Sequence, residues 1–274
     1  MFKKADGNDF LGRFREIISD PLNLMIERFP NAGIVENNHV WLHNGIKVPL
    51  SGPYSYYSNF SQILTLNRGV HEPLEEFVFQ ELLNKLHDRP LMLELGAYWG
   101  HYSMWLKKTL PYSTVNMVEP EIQNLEAGKY NFKINGLDGN FTNSFVGKGH
   151  FSVDQYLNDS KINTLDILHS DIQGYESEML DDCSISLNEN KINYIFISTH
   201  SQLIHDTILN KLSLFNYRIE VSSDFEDETT SYDGLVFASS KKINPIFEDF
   251  KHLGRTDICK AKPSKLLEYL VKLN

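Results

Sequence analysis

The sequence predicts an α/β fold in which helices cover a mainly parallel sheet. From about residue 72 onward, short apolar runs alternate with amphipathic runs, which is typical of repeated strand–helix–strand units. Acidic residues and glycines stand at the ends of several apolar runs, where a strand would turn into a helix. The length of 274 residues suits one such domain with an extension, whereas two full domains would be a tight fit.

The first 70 residues, 1–70, follow another pattern and predict an N-terminal extension. Spaced apolar residues over 10–29 predict a helix that is interrupted near Pro21. The pair Asn44–Gly45 separates two β-prone runs, which indicates a hairpin. The loop that follows, 51–59, holds three tyrosines that could line a pocket or pack over the sheet. The extension could cap a site or form a homodimer interface, and the sequence leaves both open.

The remaining residues, 71–274, form the predicted domain. Its helices are predicted over 72–86, 99–108, 121–134, 153–157, 175–187, 202–215 and 263–273. Its strands are predicted over 91–95, 114–118, 141–146, 165–170, 194–198, 217–221 and 235–239. In parallel sheets ligands bind beyond the carboxyl ends of the strands, so the residues after each strand are the candidates for a site.

Composition disfavours nucleic-acid and membrane partners. The formal net charge is −10 and Lys and Arg form no compact run, whereas phosphate backbones are bound through such clusters. No run approaches the roughly 20 apolar residues of a membrane helix, and the first residues lack the apolar core of a signal peptide. Cys183 and Cys259 are far apart, which predicts reduced thiols in a cytoplasmic protein without a Cys-rich zinc site.

A glycine turn after the strand 91–95 is the strongest candidate for a binding element. Glu94 stands near the strand end, and Gly96 and Gly100 form a Gly-x-x-x-Gly turn into the next helix. Glycine permits a sharp turn and lets a ligand approach the backbone without a Cβ clash. The middle glycine of a dinucleotide fingerprint is missing, which favours an adenosine with a neutral or zwitterionic tail over a pyrophosphate. A tight turn without a ligand is the alternative.

Acidic residues follow two further strands. Glu119 comes directly after the strand 114–118, about 20 residues beyond the glycine turn, where a carboxylate can accept hydrogen bonds from both ribose hydroxyls. Asp171 comes directly after the strand 165–170 and precedes a turn at Gln173–Gly174. Because the carboxyl ends of parallel strands share one edge of the sheet, we expect both acids to face the same cleft as the glycine turn.

Together these motifs resemble the FkbM methyltransferase family over roughly residues 72–239. The motifs are Glu94-Leu-Gly-x-x-x-Gly100, Glu119-Pro120, Val153-Asp154-x-Tyr-Leu157 and Asp171-Ile-Gln-Gly-Tyr-Glu176, with His71-Glu72-Pro73 as a similar lead-in. The last motif is the most distinctive, since most class I methyltransferases share the glycine turn. Two positions depart from the family: Glu94 stands where Asp is commoner, and His169-Ser170 replaces Lys-Ile, which could alter the substrate side.

The resemblance implies a Rossmann-like class I methyltransferase fold with a mainly parallel seven-stranded sheet. It implies methyl transfer from S-adenosylmethionine, usually to a hydroxyl of a small molecule, sugar or glycan. The cofactor-binding residues it implies are Glu94, Gly96, Ala97, Tyr98, Gly100, Glu119 and Asp171. In that arrangement the glycine turn holds the methionine end, Glu119 holds the ribose, and Asp171 lies near the transferable methyl. A nucleotide-cofactor oxidoreductase and a non-catalytic scaffold are the competing functions.

An alcohol acceptor must lose a proton during methyl transfer, which requires a base. His200 follows the strand 194–198 and is the candidate general base, because imidazole titrates near neutral pH. Alternatively, His200 lies beside a helix N-cap and takes no part in the chemistry. Asp171 is then the candidate base. Asp171 and His200 could also share a divalent metal, although two ligands are too few to assign one.

Overall fold

A computed structural model of the chain describes residues 4–57 and 60–273. The strands in these ranges are β1 (Val35–Glu36), β2 (His39–Trp41), β3 (Lys47–Pro49), β4 (Leu91–Leu95), β5 (Thr114–Val118), β6 (Asn140–Thr142), β7 (Leu165–Ser170), β8 (Ile192–Thr199), β9 (Tyr217–Ser223) and β10 (Gly234–Ser240). The helices are α1 (Phe10–Ser19), α2 (Gln62–Leu66), α3 (Pro73–Leu83), α4 (His101–Thr109), α5 (Ile122–Ile134), α6 (Val153–Asp159), α7 (Glu176–Asp182), α8 (Ser184–Asn188), α9 (Gln202–Leu214), α10 (Arg255–Lys260) and α11 (Pro263–Leu273), with a 3₁₀ helix over Pro21–Leu24.

Seven strands form the central sheet in the order β6-β5-β4-β7-β8-β10-β9. The neighbours from β6 to β8 pair in parallel, and β10 is antiparallel to both β8 and β9. This order confirms the predicted α/β fold with a mainly parallel seven-stranded sheet. Leu95 of β4 lies opposite Val118 of β5 and Ser170 of β7. The three chains therefore leave the sheet at one edge.

The sheet divides the core into two layers. Met92 and Ile167 belong to the hydrophobic cluster on one face, whereas Leu93 and Leu168 belong to the cluster on the other face. All six residues of β7 are buried. Burial on both faces explains why the central strands read as continuous apolar runs rather than as alternating ones.

The N-terminal extension packs onto the domain and shares its core. The predicted hairpin is confirmed, since β2 and β3 pair antiparallel around Asn44–Gly45. The Gln80 side chain of α3 accepts a hydrogen bond from the Glu27 N–H at 2.7 Å, and Asn135 bonds both backbone groups of Lys47. These bonds fix the extension against α3 and the end of α5. The predicted tyrosine loop falls partly outside the described residues, because 58 and 59 are not among them.

Two predicted elements differ from the structure, each because of a polar side chain. The strand expected over 141–146 ends at Thr142, since the Asn143 side chain bonds the carbonyls of Glu119 and Pro120 and the chain leaves the ladder. The helix expected over 175–187 is divided at Cys183 into α7 and α8. The Asp154 carboxylate accepts the backbone N–H groups of Ile185 and Ser186 and so caps the start of α8. Across both described ranges, no helix has the length and apolar character needed to cross a bilayer.

Candidate active site

The turn between β4 and α4 is shaped by a close approach to β7. Gly96 and Gly100 have φ values of +71° and +77°, a region that side chains rarely adopt. A Cβ on Gly96 would lie 1.7 Å from the Asp171 carbonyl oxygen, and one on Gly100 would lie 3.0 Å from the Phe132 ring. Gly96 is therefore required where the ends of β4 and β7 meet, and Gly100 where α4 begins against α5.

Glu119 fastens the glycine turn to the end of β5. Its carboxylate accepts the backbone N–H of Tyr98 and of Glu121, each at 2.9 Å. Burial raises the pKa of Glu119, and the two backbone bonds oppose the rise. A carboxylate has about four lone-pair positions, so acceptor capacity is left for ligand hydroxyls. Tyr98 itself has φ +44°, an uncommon conformation that the bond to Glu119 helps to hold.

Glu94 fastens the same turn to α4. Its buried carboxylate accepts the Ser103 N–H at 3.1 Å, in the first turn of the helix. Burial raises the pKa of Glu94, and the charge of His169 opposes the rise. The two acids thus hold the turn from opposite sides, and each of them lies on the wall of a cavity.

Two cavities meet at the carboxyl edge of the sheet. The β5 cavity has a volume of 820 Å³ and is lined by Glu119, Asn124, Ile172 and their neighbours. The α1 cavity has a volume of 680 Å³ and is lined by residues of the extension and by the glycine turn. Tyr57, Gly96, Tyr98, Asp171 and Gln173 line both cavities. The cleft therefore has two lobes with Asp171 at their junction.

His200 is held among three carboxyl groups. Its Nε2 lies 3.1 Å from Asp171 Oδ1 and 3.4 Å from Asp233 Oδ1, and its Nδ1 lies 2.8 Å from Glu176 Oε1. Burial lowers the pKa of His200, but the bonds to Asp171 and Glu176 and the charge of Asp233 outweigh it and raise the pKa to about 11. The ring is an imidazolium at neutral pH. Asp171, His200 and Asp233 each also offer one atom to a group that could hold a metal ion.

Asp233 is a member of the site that the sequence did not indicate. It precedes β10, the antiparallel strand, whose amino end lies at the same edge as the carboxyl ends of the parallel strands. Burial raises the pKa of Asp233 to about 7, against the lowering by the His200 charge. The acidic residue before an antiparallel strand was the available signal, but its use requires the strand order.

The α1 cavity is acidic and aromatic. Its wall contains five carboxyl groups, Asp6, Glu72, Glu94, Asp171 and Asp233, and one arginine among the described lining residues, Arg13. Burial raises the pKa of Glu72 to about 8, and its Oε2 accepts the Tyr102 hydroxyl at 2.9 Å. His169, which departs from the family pattern, lines this cavity and pairs with Glu75 at 2.6 Å. Its effect on the substrate side stays a prediction.

The structure brings the residues singled out from the sequence to one cleft. Glu94 and Ala97 line the α1 cavity, Glu119 lines the β5 cavity, and Gly96, Tyr98 and Asp171 line both. His200 lines neither cavity and reaches the cleft only through its contacts with Asp171 and Asp233. Gly100 also lines neither, because it packs against Phe132 behind the turn. Gly100 therefore shapes the turn without lining either cavity.

The strand order, the glycine turn and the acids after β5 and β7 are those of a methyltransferase that uses S-adenosylmethionine. The model of the family described as the methyltransferase FkbM domain matches residues 39–219, more than half of the chain, and the chain belongs to this family. This match confirms the resemblance, and the chain is an S-adenosylmethionine-dependent methyltransferase. The matched range begins within the extension and ends before β10, so the predicted division at 70/71 stays a proposal.

The solved structures that are similar to this chain include the following three. A precorrin-6y methyltransferase from Geobacter metallireducens is 16% identical with a TM-score of 0.46, covering 61% of this chain and 88% of that chain. M. capricolum TrmK in complex with S-adenosylhomocysteine is 14% identical with a TM-score of 0.44, covering 72% and 82%. A ribosomal protein L11 methylase from Lactobacillus delbrueckii subsp. bulgaricus is 13% identical with a TM-score of 0.45, covering 63% and 81%. No curated protein sequence matches the chain.

Proposed function

We propose that this methyltransferase transfers the methyl group to a hydroxyl of a small molecule, a sugar or a glycan. The observation that carries the proposal is the position of Asp171, whose side chain lines both lobes of the cleft. A carboxylate at such a junction can take the proton of an acceptor hydroxyl in one lobe while the methyl donor extends into the other.

The lining residues fit the cofactor. Both cavities fall within the range of about 300–1,000 Å³ that small-molecule sites occupy. Glu119 would hold the ribose through its remaining lone pairs, and Glu94 with the backbone of 96–98 would hold the methionine end. Bound S-adenosylmethionine supplies an electrophilic methyl group on a sulfonium that is already a good leaving group.

Asp171 is the base in this proposal. Its Oδ1 pairs with His200 at 3.1 Å and accepts a hydrogen bond from Gln173 Nε2 at 3.0 Å. These contacts orient the carboxylate and would leave Oδ2 for the acceptor. As the bond from the acceptor oxygen to the methyl carbon forms and the bond from carbon to sulfur breaks, the hydroxyl proton passes to Asp171. The base is thereby held at the place where the proton is released.

His200 is then a positioning residue. The general-base role predicted for it requires a neutral imidazole, whereas both ring nitrogens face carboxyl groups and the pKa is about 11. We therefore assign the proton to Asp171, the alternative that the sequence left open. The imidazolium would keep Asp171 and Asp233 at a fixed separation beside the acceptor.

A second candidate uses the same three side chains as ligands of a divalent cation. Asp171, His200 and Asp233 provide ligand atoms within 4.8 Å of one another, and Glu176 would orient the His200 ring from behind. The dependence of turnover on Mg²⁺ separates the two arrangements. The ion-paired base predicts turnover that does not depend on Mg²⁺, whereas loss of turnover with a chelator and its recovery with Mg²⁺, but not with Zn²⁺, would support the chelating site.

The acceptor is expected to be neutral or cationic and rich in hydroxyls. Among its described lining residues the α1 cavity has five carboxyl groups and one arginine, so it disfavours phosphate and carboxylate groups and offers hydrogen-bond partners to hydroxyls. Tyr56, Tyr57 and Trp99 supply amphipathic rings on the same wall. Phe10 and Arg13 come from the extension, so residues 1–70 are proposed to cap the acceptor lobe.

The experiment is transfer of a labelled methyl group to a panel of matched acceptors. Neutral sugars and polyols are compared with their phosphorylated forms, and the linkage of the product is determined by NMR. The proposal predicts a methyl ether on a neutral acceptor and a much lower rate with the phosphorylated partner. Methylation on nitrogen or carbon, or preference for the phosphorylated acceptor, would contradict it.

A further inference from the structure

A second cluster of ionisable side chains lies beneath the glycine turn, where the extension meets the domain. His43 comes from the hairpin of the extension, Glu76 from the first turns of α3, and His101 is the first residue of α4. Their side chains are 1%, 0% and 2% exposed. Charged and polar groups buried this deeply need partners, which raises the question of what satisfies them.

The three side chains converge on one point. One ligand atom of each lies within 4.8 Å of the other two. His43 Nε2 is 3.2 Å from Glu76 Oε2, and His101 Nε2 is 3.7 Å from Glu76 Oε1. Zinc bonds to nitrogen and oxygen are about 2.0–2.2 Å long, so two ligands of one tetrahedral ion lie roughly 3.3 Å apart. The 3.2 Å separation of His43 Nε2 and Glu76 Oε2 is close to this value, and small rotations of the side chains would bring His101 to the same ion.

These atoms also lack hydrogen-bond partners within the described ranges. His43 Nε2, Glu76 Oε2 and both ring nitrogens of His101 are buried without a hydrogen bond. Buried polar atoms without partners are uncommon and indicate an ion or a water. Here they belong to three residues, each of which has one ligand atom within 4.8 Å of the other two.

Neighbouring groups orient the ligands. A hydrogen bond to the Glu27 backbone holds the His43 ring, with Nε2 left toward Glu76. His71 contacts Glu76 Oε1 through Nδ1 at 2.5 Å and donates its backbone N–H to the same oxygen at 3.1 Å. Oε1 is thereby engaged and Oε2 is left for an ion. Outer partners of this kind fix the ligands in protein metal sites.

We propose that His43, Glu76 and His101 bind one divalent transition-metal ion that fastens the N-terminal extension to α3 and α4. Two imidazoles and a carboxylate are the ligands of zinc and similar ions rather than of Mg²⁺ or Ca²⁺. His101 also lines the α1 cavity, which provides a path for the ion.

The consequence lies at the cofactor site. His101 directly follows Gly100, so an ion at His101 would fix the start of α4 next to the turn that Glu94 and Glu119 hold. The same ion would tie α4 to the hairpin that carries His43. The proposal is independent of the acceptor and of the base, because none of its ligands contacts Asp171.

The test measures metal content of the full chain by mass spectrometry after growth with added zinc and purification without a nickel column. The expected result is close to one equivalent of a transition metal for the wild type and for His39→Gln, a change to a histidine of the same hairpin outside the cluster. His43→Gln and Glu76→Gln should lose the metal. Asp233→Asn should retain it, which separates this site from the one at His200.

Two further measurements keep the proposal testable if a cluster variant does not fold. Removing the metal from the wild type with a chelator should lower the melting temperature, and added Zn²⁺ should restore it. Anomalous X-ray scattering at the zinc edge should place the ion between the three side chains. A folded wild type that neither carries nor takes up zinc, or a His43→Gln variant with undiminished content, would overturn the proposal.

Discussion

Asp171 Oδ1 and His200 Nε2 lie 3.1 Å apart at the point where the two lobes of the cleft meet. One residue follows β7 and the other follows β8, neighbouring parallel strands that end at the same edge. Asp233 completes the cluster from the antiparallel strand beside them. The pair therefore depends on the strand order of the sheet, and it connects the fold to the chemistry proposed for it.

The pH dependence of turnover should report Asp233. Its pKa is raised to about 7, so the carboxyl group is neutral below that pH and charged above it. The charged form adds negative charge to the cluster that receives the substrate proton and so favours the proton transfer. We expect kcat/KM to increase with pH through about 7, by roughly tenfold between about pH 6 and about pH 8, as the charged fraction does.

The matched variants are Asp233→Asn and Asp88→Asn, the second an exposed residue that precedes β4 at the opposite edge of the sheet. Asp233→Asn should remove the pH step and hold the rate near its low-pH value. Asp88→Asn should keep the step. A step that survives in Asp233→Asn would assign the titration to another group.

Replacement of Gly96 should destabilise the protein far more than replacement of a glycine with the same backbone conformation. Gly96 and Gly136 have φ values of +71° and +66°, but a Cβ on Gly136 meets nothing within 4 Å. Gly136→Ala should cost about 1–2 kcal/mol for the left-handed conformation. Gly96→Ala adds a clash with Asp171 and should cost roughly 2–5 kcal/mol.

Chemical denaturation of both glycine variants measures the difference in the free energy of unfolding. Because the clash would separate the ends of β4 and β7, Gly96→Ala should also weaken cofactor binding, whereas Gly136→Ala should not. Equal stability losses in the two variants would show that the approach of Asp171 to the turn is looser than the structure has it.

Asp154 should stabilise the second half of the divided helix. Its carboxylate accepts the Ile185 and Ser186 N–H groups at 2.9 and 2.8 Å, at the start of α8. Loss of such a cap typically costs about 0.5–2 kcal/mol. Asp154→Ala should therefore lower the free energy of unfolding by about 1 kcal/mol in a denaturant titration. Asp159→Ala, at the other end of α6, should change it by less than about 0.5 kcal/mol, and equal effects would contradict the capping role.

Glu119 should contribute to cofactor binding through the ribose. Glu119→Ala should weaken binding of S-adenosylmethionine and S-adenosylhomocysteine by about 10–100-fold, the loss of one or two hydrogen bonds to a charged group. Calorimetry measures it, with NAD as a ligand that should not bind. Glu126→Ala, on the exposed side of α5, is the control and should bind as the wild type does. Unchanged affinity in Glu119→Ala would show that the ribose binds elsewhere in the cleft.

The sequence predicted the cofactor side of the site because its signals are local. Glu94, Gly96, Glu119 and Asp171 each stand at the end of a recognisable strand, and parallel pairing brings such ends to one edge. The limits of β6 and the break between α7 and α8 were not predicted from the sequence. They depend on the side chains of Asn143 and Asp154, which reach residues far away in the sequence.

The acceptor side could not be predicted in the same way. The environment of His200 depends on Glu176 at the start of α7 and on Asp233 directly before β10, and neither follows a parallel strand as the predicted acids do. Arg13 reaches the cleft through docking of the extension, and His43, Glu76 and His101 meet without any regular spacing. The position of Arg13 and the assembly of this cluster both depend on long-range packing, which the periodicity of the sequence does not predict.

The most direct test of Asp171 as the base is the turnover of Asp171→Asn, measured beside its affinity for S-adenosylhomocysteine. Asparagine keeps the shape of the side chain but cannot take the proton. We expect kcat to fall by about 10²–10⁴-fold while the affinity stays within a few fold of the wild type. Asp88→Asn should match the wild type in both. Turnover of Asp171→Asn within tenfold of the wild type would contradict the assignment of the base to Asp171.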